Sequence, residues 1–457
     1  MNAKEFLKQA RAKISDDPMS RLSAPAHAAI SDPDCIFDVH CHIFDKKCLN
    51  IRYLALRFAG TFIGEMLGFE ATGELDKQIN HLKKDEETLY KEIEAQSLLQ
   101  HQDSPEEWAR FEQEISALAE ASEDYEGLEL FGYEGKGLKQ AWKVLRKASM
   151  AEVWNYYYDT FSIRKLPELE GRPLVAGVLM MDLETGWKMK TEKKFYQQIT
   201  ELKWLAKEQP ILPFLAVDPR RAELPGKENL YELFLNAFAE DGPSFFGVKC
   251  YPALGYLPSD ARLDPIFQIC AEKNIPVTTH CGGETVSTFE KTIQIKNSTG
   301  YRDFKIPGEK RVERARYLND PAHWDSVVHK HKALRLNMAH FTSESFWKTF
   351  MEKGEEMRIA KIMELVSDPD LRVFTDFSFN VINLDLFEAL LGVVKKDQKV
   401  KEKVMFGTDF WVVLPSGDLI EKQEKFFSTF TDFKESLIKE VPRAFLFGKT
   451  ESAQPTA

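Results

Sequence analysis

From about residue 171 onward, short β-rich apolar runs alternate with longer stretches whose apolar residues recur at helical spacing. The runs are PLVAGVLMMD (173–182), ILPFLAVD (211–218), SFFGVKCY (244–251), IPVTTH (275–280), ALRLNMAH (333–340), LRVFTDFSF (371–379) and KVMFGTD (403–409). Between them lie amphipathic stretches such as KKFYQQITELKWLAKE and LYELFLNAFAE. An eighth run, CIFDVH (35–40), stands alone far upstream. Strand and helix in alternation make βαβ units on a parallel sheet, and eight such strands are what a closed barrel requires. The expected fold is therefore α/β, a (β/α)8 TIM barrel with a large helical insertion after strand 1.

The expected division of the chain follows from that alternation. Residues 1–34 form an N-terminal helical segment, 35–44 carry the first barrel strand, and 45–170 are a helical insertion or cap. Residues 171–450 complete the barrel, and 451–457 are a frayed tail. The insertion is far longer than a βα loop needs. Its middle, ELDKQINHLKKDEETLYKEIEAQ, reads as a solvated helix face. The more apolar RFAGTFIGEMLGF (57–69) and KASMAEVWNYYYDTF (147–161) are expected to pack on the barrel or on a second subunit. The connection at 281–332 has the length and place of an active-face lid.

A formal net charge of -11 disfavours nucleic acid or an anionic membrane as partner. The opening MNAKEFLKQARAKISDD is charged throughout and carries no apolar secretory core, so a cytoplasmic address is expected. None of the six cysteines (Cys35, Cys41, Cys48, Cys250, Cys270, Cys281) lies in a CxxC pair, and they read as buried, reduced thiols. The expected partner is a small-molecule substrate, and the apolar stretches favour a homodimer.

The strongest chemical signal is Asp38-Val39-His40-Cys41-His42, at the end of the first run. Residues two apart on a strand share a face, so His40 and His42 aim two imidazoles at one point. His280 ends the fifth run, His340 the sixth and Asp409 the eighth. Strand C-termini form the active face of such a barrel, so five ligand-type residues converge on one rim. Imidazole and carboxylate suit zinc and its first-row neighbours. For any one of these histidines a satisfied core or surface role would be the simpler reading, but five together point to a metal centre.

The pattern resembles the amidohydrolase superfamily, and more narrowly its amidohydrolase-related branch, which includes aminocarboxymuconate-semialdehyde decarboxylase. PFLAVDPRR (213–221), GVKCYP (247–252), HWDSVVHKHKALRLNMAHF (323–341) and LFG (446–448) fit that branch. The resemblance covers strand one and about residues 171–450, not the insertion. It implies a mononuclear site with His40, His42, His280 and Asp409 as ligands of one divalent metal, Zn2+, with Mn2+ or Fe2+ as alternatives. It also implies that His340 touches the attacking water or the substrate and that Asp409 moves the proton. Lys249 lies where binuclear relatives carry a carboxylated bridging lysine, with His280 and His340 on a second metal. In the mononuclear branch the same lysine pairs with a substrate carboxylate or a neighbouring acid.

The resulting expectation is a metal-dependent hydrolase that cleaves an amide, lactone or ester of a small carboxylate-bearing substrate. Non-oxidative decarboxylation uses the same ligands and is the alternative. A barrel that has lost catalysis and serves as a binding protein is a third reading, which retention of all five residues argues against. Tyr251, Tyr256 and Trp411 follow strands four and eight and are expected at the substrate. Arg302, Arg311, Arg314 and Arg316, in the 281–332 connection, are candidates to clamp a carboxylate. Asp38 is expected to orient ligands through hydrogen bonds, and Asp376 to bond within the barrel mouth.

Overall fold

The computed structural model describes residues 1–48 and 140–448, apart from 142, 145, 187–190, 240–243 and 284–285. Most of the expected insertion, including 57–69, and the expected tail lie outside the described residues. The eight apolar runs become the eight strands of one parallel sheet. They are β1 (Ile36–Cys41), β2 (Leu174–Leu179), β3 (Ile211–Val217), β4 (Gly247–Cys250) and β5 (Val277–His280). After a two-stranded interruption, β6 (Thr292–Asn297) and β7 (Gly300–Lys305), the sheet resumes with β8 (Arg335–Ala339), β9 (Arg372–Asp376) and β10 (Val404–Met405).

Neighbouring strands pair in the order β1-β2-β3-β4-β5-β8-β9-β10. The ring then closes. Val39 N donates to Phe406 O at 3.2 Å, Asp409 N donates to His40 O at 2.8 Å, and Cys41 bridges Phe410 in parallel. β10 is only two residues long, yet its continuation completes the barrel beside β1 and so brings Asp409 next to His40. Every residue of β1, β2 and β3 is buried, because helices cover the outside and side chains fill the inside.

The outer layer is built by α4 (Phe195–Glu208), α5 (Leu230–Phe238), α6 (Asp264–Glu272), α7 (Arg311–Leu318), α8 (Asp325–Lys330), α9 (Glu344–Lys353), α10 (Met357–Ser367), α11 (Phe387–Lys396), α12 (Leu419–Thr429) and α13 (Val441–Phe447). Ahead of them stand α1 (Ala3–Lys13) and α2 (Ala24–Ser31) in the N-terminal segment, and α3 (Met150–Thr160). Local chemistry sets their ends. Asn229 caps α5 through Tyr231 N, Glu356 caps α10 through Arg358 N and Ile359 N, and Gly354 (φ 78°) terminates α9 in the left-handed region.

Two parts of the expected cap and lid turn out to have definite structure. Helix α3 buries Met150, Val153, Trp154 and Tyr157 against the barrel. The 281–332 connection is no irregular lid. It holds the antiparallel hairpin β6–β7, which packs Ile293 and Ile295 with Leu257, Ile306 and Leu318 in a small cluster of their own. The six cysteines are free and buried, as their spacing implied. Among the described residues no helix is long and apolar enough to cross a membrane.

Candidate metal centre

β1 ends in a bulge between Asp38 and Cys41, after which His42 leaves the ladder. His40 and His42 nevertheless point to one place, where Asp409 meets them. Asp409 Oδ1 lies 3.6 Å from His40 Nε2 and 3.3 Å from His42 Nε2. The ligating atoms of these three residues all lie within 4.8 Å of one another, and all three residues are buried.

The hydrogen-bond partners of His42 fix what those atoms offer. His42 Nδ1 lies 2.8 Å from the carbonyl of Leu179, which can only accept, so Nδ1 carries the proton and Nε2 is a bare lone pair. Asp409 Oδ1, buried, has no hydrogen-bond donor. A bare nitrogen facing an unpaired carboxylate oxygen at 3.3 Å is unfavourable by itself and favourable with a cation between them. The donor set, two imidazoles and a carboxylate, suits zinc and related first-row ions. These residues fit a divalent metal.

His280 sits apart from that trio. Its Nδ1 is 2.8 Å from His340 Nε2, and its ring lies 4.1 Å from that of Tyr251. His340 Nδ1 approaches the Ser378 carbonyl at 3.1 Å and so is the protonated nitrogen. His340 Nε2 is then an acceptor, and His280 Nδ1–H donates to it. The ring's single proton is then on Nδ1, so His280 Nε2 is unprotonated. A Cβ at position 282 would come within 2.9 Å of that nitrogen, so glycine is what keeps it clear.

Below the trio lies a polar layer. Asp38 accepts from His40 N (3.1 Å), Thr408 N (3.0 Å), Thr408 Oγ1 (2.6 Å) and Tyr157 OH (2.6 Å). It thereby ties β1 to the turn that carries Asp409, and both to α3. Burial nonetheless pushes the Asp38 carboxyl up to about 6. Asp376 sits beside His40 (Nδ1–Oδ2 3.4 Å) and accepts from Asn337 Nδ2 at 2.6 Å and from His340 N at 2.9 Å. With His40 and His340 it forms a second group of three atoms of metal-ligand type, but its lone pairs already meet these donors.

Lys249, buried on β4, directs Nζ to within 3.4 Å of His40 Nε2. Burial pulls its ammonium down to about 8, against the pull of Asp409 and Asp376. Burial, reinforced by Lys249, also lowers His40 to about 3, and it takes His280 and His340 below the usual imidazole range. These three imidazoles, His40, His280 and His340, are therefore neutral at pH 7, the form that binds metals.

The backbone at the rim is strained. His340, Phe341 and Thr342 run consecutively at φ 70°, 44° and 71°, and Asp409 and Trp411 stand at 56° and 81°. Non-glycine residues in this region cost about 1–3 kcal/mol each, and such strain concentrates at functional sites. Asn380 Nδ2, bonded to His340 O at 2.5 Å, helps to hold the first turn.

Other expected substrate residues take varied positions. Tyr251 lies tilted against the His280 ring, whereas the Tyr256 hydroxyl accepts from Tyr251 N at 2.6 Å and the residue is buried. Trp411 lies edge-on to Phe44, which stacks on His42, and its indole Nε1 is buried without a hydrogen-bond partner. Arg302 is exposed on the hairpin, Arg314 is buried against Glu309 O, and Arg311 bonds Ser287 Oγ. Arg316 has its Cγ beside Gly283 and its guanidinium over Phe346. Sequence reasoning missed Ser378, Asn337, Thr408 and Tyr157. For Ser378 there was a signal, since Asp376-Phe-Ser378 at the end of a strand repeats the same-face spacing of His40 and His42.

No protein-family description matches the chain, and no curated protein matches it. Among solved structures the chain is similar to an amidohydrolase from Burkholderia multivorans with bound zinc (12% identity over 64% of this chain and 87% of that one, TM-score 0.38). It is also similar to dihydroorotase from Saccharomyces cerevisiae in complex with 5-fluoroorotic acid (13%, 61% and 77%, TM-score 0.33). A third is uronate isomerase from Thermotoga maritima (11%, 93% and 98%, TM-score 0.29).

Proposed function

We propose that the chain is a metal-dependent hydrolase of the amidohydrolase type, acting on an amide, lactone or ester of a small carboxylate-bearing molecule. The observation that carries this reading is the unpaired Asp409 Oδ1 facing the bare Nε2 of His42 at 3.3 Å, inside the mouth of a parallel barrel. His40, His42 and Asp409, joined by His280, would hold one divalent ion, with zinc the first candidate. That ion would supply Lewis acidity toward the acyl oxygen and acidify the attacking water.

The chain's own groups account for the remaining chemistry. Water adds to the acyl carbon while Asp409 takes its proton. The same proton is returned to the departing nitrogen or oxygen as the acyl bond breaks, giving a carboxylic acid and an amine or alcohol. His340, whose Nε2 is engaged by His280, orients that imidazole. Lys249 supplies positive charge for a substrate carboxylate. Its position as a buried cation among imidazoles also favours a second reading, decarboxylation of a carboxylated ring or enol. A carboxylated Lys249 bridging two ions is the binuclear alternative.

The test is a paired screen of zinc-loaded protein, scoring acid release from lactones, amides and esters and carbon dioxide release from aromatic and enolic acids. Acid release that disappears in His42→Ala supports hydrolysis. Carbon dioxide release that disappears in the same variant shifts the assignment to decarboxylation. Loss of neither activity in His42→Ala contradicts the proposed centre.

A further inference from the structure

We propose that Asp376 and Ser378 form a positioning pair that commits His40 to the Nδ1–H tautomer, so that its Nε2 lone pair faces the centre. The proposal deepens the metal-centre reading and rests on it for its consequence, though not for its geometry.

The direction of each hydrogen bond can be worked out from the partners that have no choice. Asp376 Oδ1 accepts from His340 N (2.9 Å) and Ser378 N (3.0 Å), and the Ser378 hydroxyl donates to the same oxygen. Asp376 Oδ2 accepts from Asn337 Nδ2 (2.6 Å) and faces His40 Nδ1 (3.4 Å). A serine hydroxyl has one proton, and here it goes to Asp376. Ser378 Oγ can therefore only accept from its other neighbours, His40 Nδ1 at 3.0 Å and His340 Nδ1 at 2.9 Å. His40 Nδ1 thus faces two atoms that can only accept, so it carries the ring's single proton. Its Nε2 is left unprotonated, 3.6 Å from Asp409 Oδ1 and within reach of the Lys249 ammonium, which donates to it at 3.4 Å. One hydroxyl with its proton assigned by a carboxylate sets a metal-ligand imidazole on one side and braces His340 on the other.

Each member of the pair backs up the other. In Ser378→Ala, His40 Nδ1–H keeps Asp376 Oδ2 and His340 Nδ1–H keeps the backbone carbonyl of residue 378, so the tautomer holds but the ring is less firmly held. In Asp376→Asn, the amide oxygen takes the side with three donors and the NH2 group replaces Oδ2. Asn337 adapts by turning its amide, because its Oδ1 has no partner. His40 keeps Ser378 Oγ. Only when both are changed does His40 Nδ1 face a donor alone, and its proton then moves to Nε2, toward Asp409 Oδ1 and at the expense of the long Lys249 contact, where the ring cannot bind metal.

The experiment is long-range 1H–15N correlation of the imidazoles in metal-free protein, paired with zinc affinity from chelator competition. Wild type and Ser378→Ala are expected to show His40 as Nδ1–H, with zinc binding in Ser378→Ala weakened about tenfold, as loss of an outer hydrogen bond to a ligand predicts. Ser378→Ala/Asp376→Asn is expected to show His40 as Nε2–H and zinc binding weakened more than about 100-fold. A double variant that keeps Nδ1–H, or that binds zinc like the wild type, overturns the proposal. Should the double variant not fold, Ser378→Ala decides alone, and unchanged zinc affinity there overturns it. The expected tautomers in a wild type that binds no zinc would defeat the metal-centre reading and leave the hydrogen-bond assignment standing.

Discussion

Replacing Tyr157 by Phe takes one oxygen from α3 and leaves the ring in place. That oxygen donates to Asp38 Oδ2 at 2.6 Å, with both residues buried. A hydrogen bond to a charged group contributes about 1.5–3 kcal/mol. Thr408 Oγ1 donates to the same carboxylate oxygen, so the variant does not orphan Asp38 and the lower half of that range applies, about 2 kcal/mol. Unfolding entropy is about 2.1 cal/mol/K per residue, so a barrel of roughly 300 residues should lose about 3 °C in Tm. The deficit should also depend on pH. Burial pushes Asp38 up to about 6, so above that pH the lost partner is a carboxylate and below it a neutral carboxyl. Neutral bonds contribute about half as much, so urea unfolding of metal-free protein should show a deficit of about 2 kcal/mol at pH 7.5 and about 1 kcal/mol at pH 5. A deficit below about 0.5 kcal/mol at both pH values, or a larger one at pH 5, would refute the Asp38–Tyr157 assignment.

Gly282→Ala should leave the fold intact but crowd His280 Nε2, weakening zinc binding by about tenfold or more in chelator competition. Wild-type affinity there would remove His280 from the ligand set. Metal-free protein should lose stability as pH falls below 6.5, because His40, His280 and His340 are held neutral in the fold and protonate readily once unfolded. From pH 7 to 5.5 His40 alone contributes about 1 kcal/mol of loss, His280 and His340 add to it in the same direction, and Asp38, with its raised pKa, offsets somewhat under 1 kcal/mol. Urea midpoints that stay level across this window would contradict the neutral assignment. Tyr256→Phe should cost about 1–3 kcal/mol by removing the hydroxyl that accepts from the buried Tyr251 N–H, and an unchanged urea midpoint would show that the hydroxyl is not its acceptor.

The barrel was legible because each strand is an apolar run with a ligand or turn residue at its end. Even β10, two residues long, was marked by Asp409. The hairpin β6–β7 left a readable trace, alternation through Thr292-Ile293-Gln294-Ile295-Lys296 followed by turn residues Asn297-Ser298-Thr299-Gly300. Its charged neighbours and its place at the active face made it resemble a lid. His40, His42 and Asp409 could be paired from sequence because strand ends share one rim. The layer beneath could not. Whether Asp38 meets Thr408 and Tyr157, or Asp376 meets Asn337 and Ser378, depends on strand stagger and on where α3 docks, which no local pattern encodes. The same limit applies to His280. Its position at a strand end predicted a ligand, whereas its contact with His340 is set by two side-chain rotamers.

The most direct test of the centre is metal content per chain by elemental mass spectrometry, on protein purified without added metal or chelator and again after reconstitution with zinc. The geometry of His40, His42 and Asp409 predicts about one equivalent, lost in His42→Ala and in Asp409→Asn while both variants stay folded. Retention of a full equivalent in both variants, or no metal even after reconstitution, would contradict it.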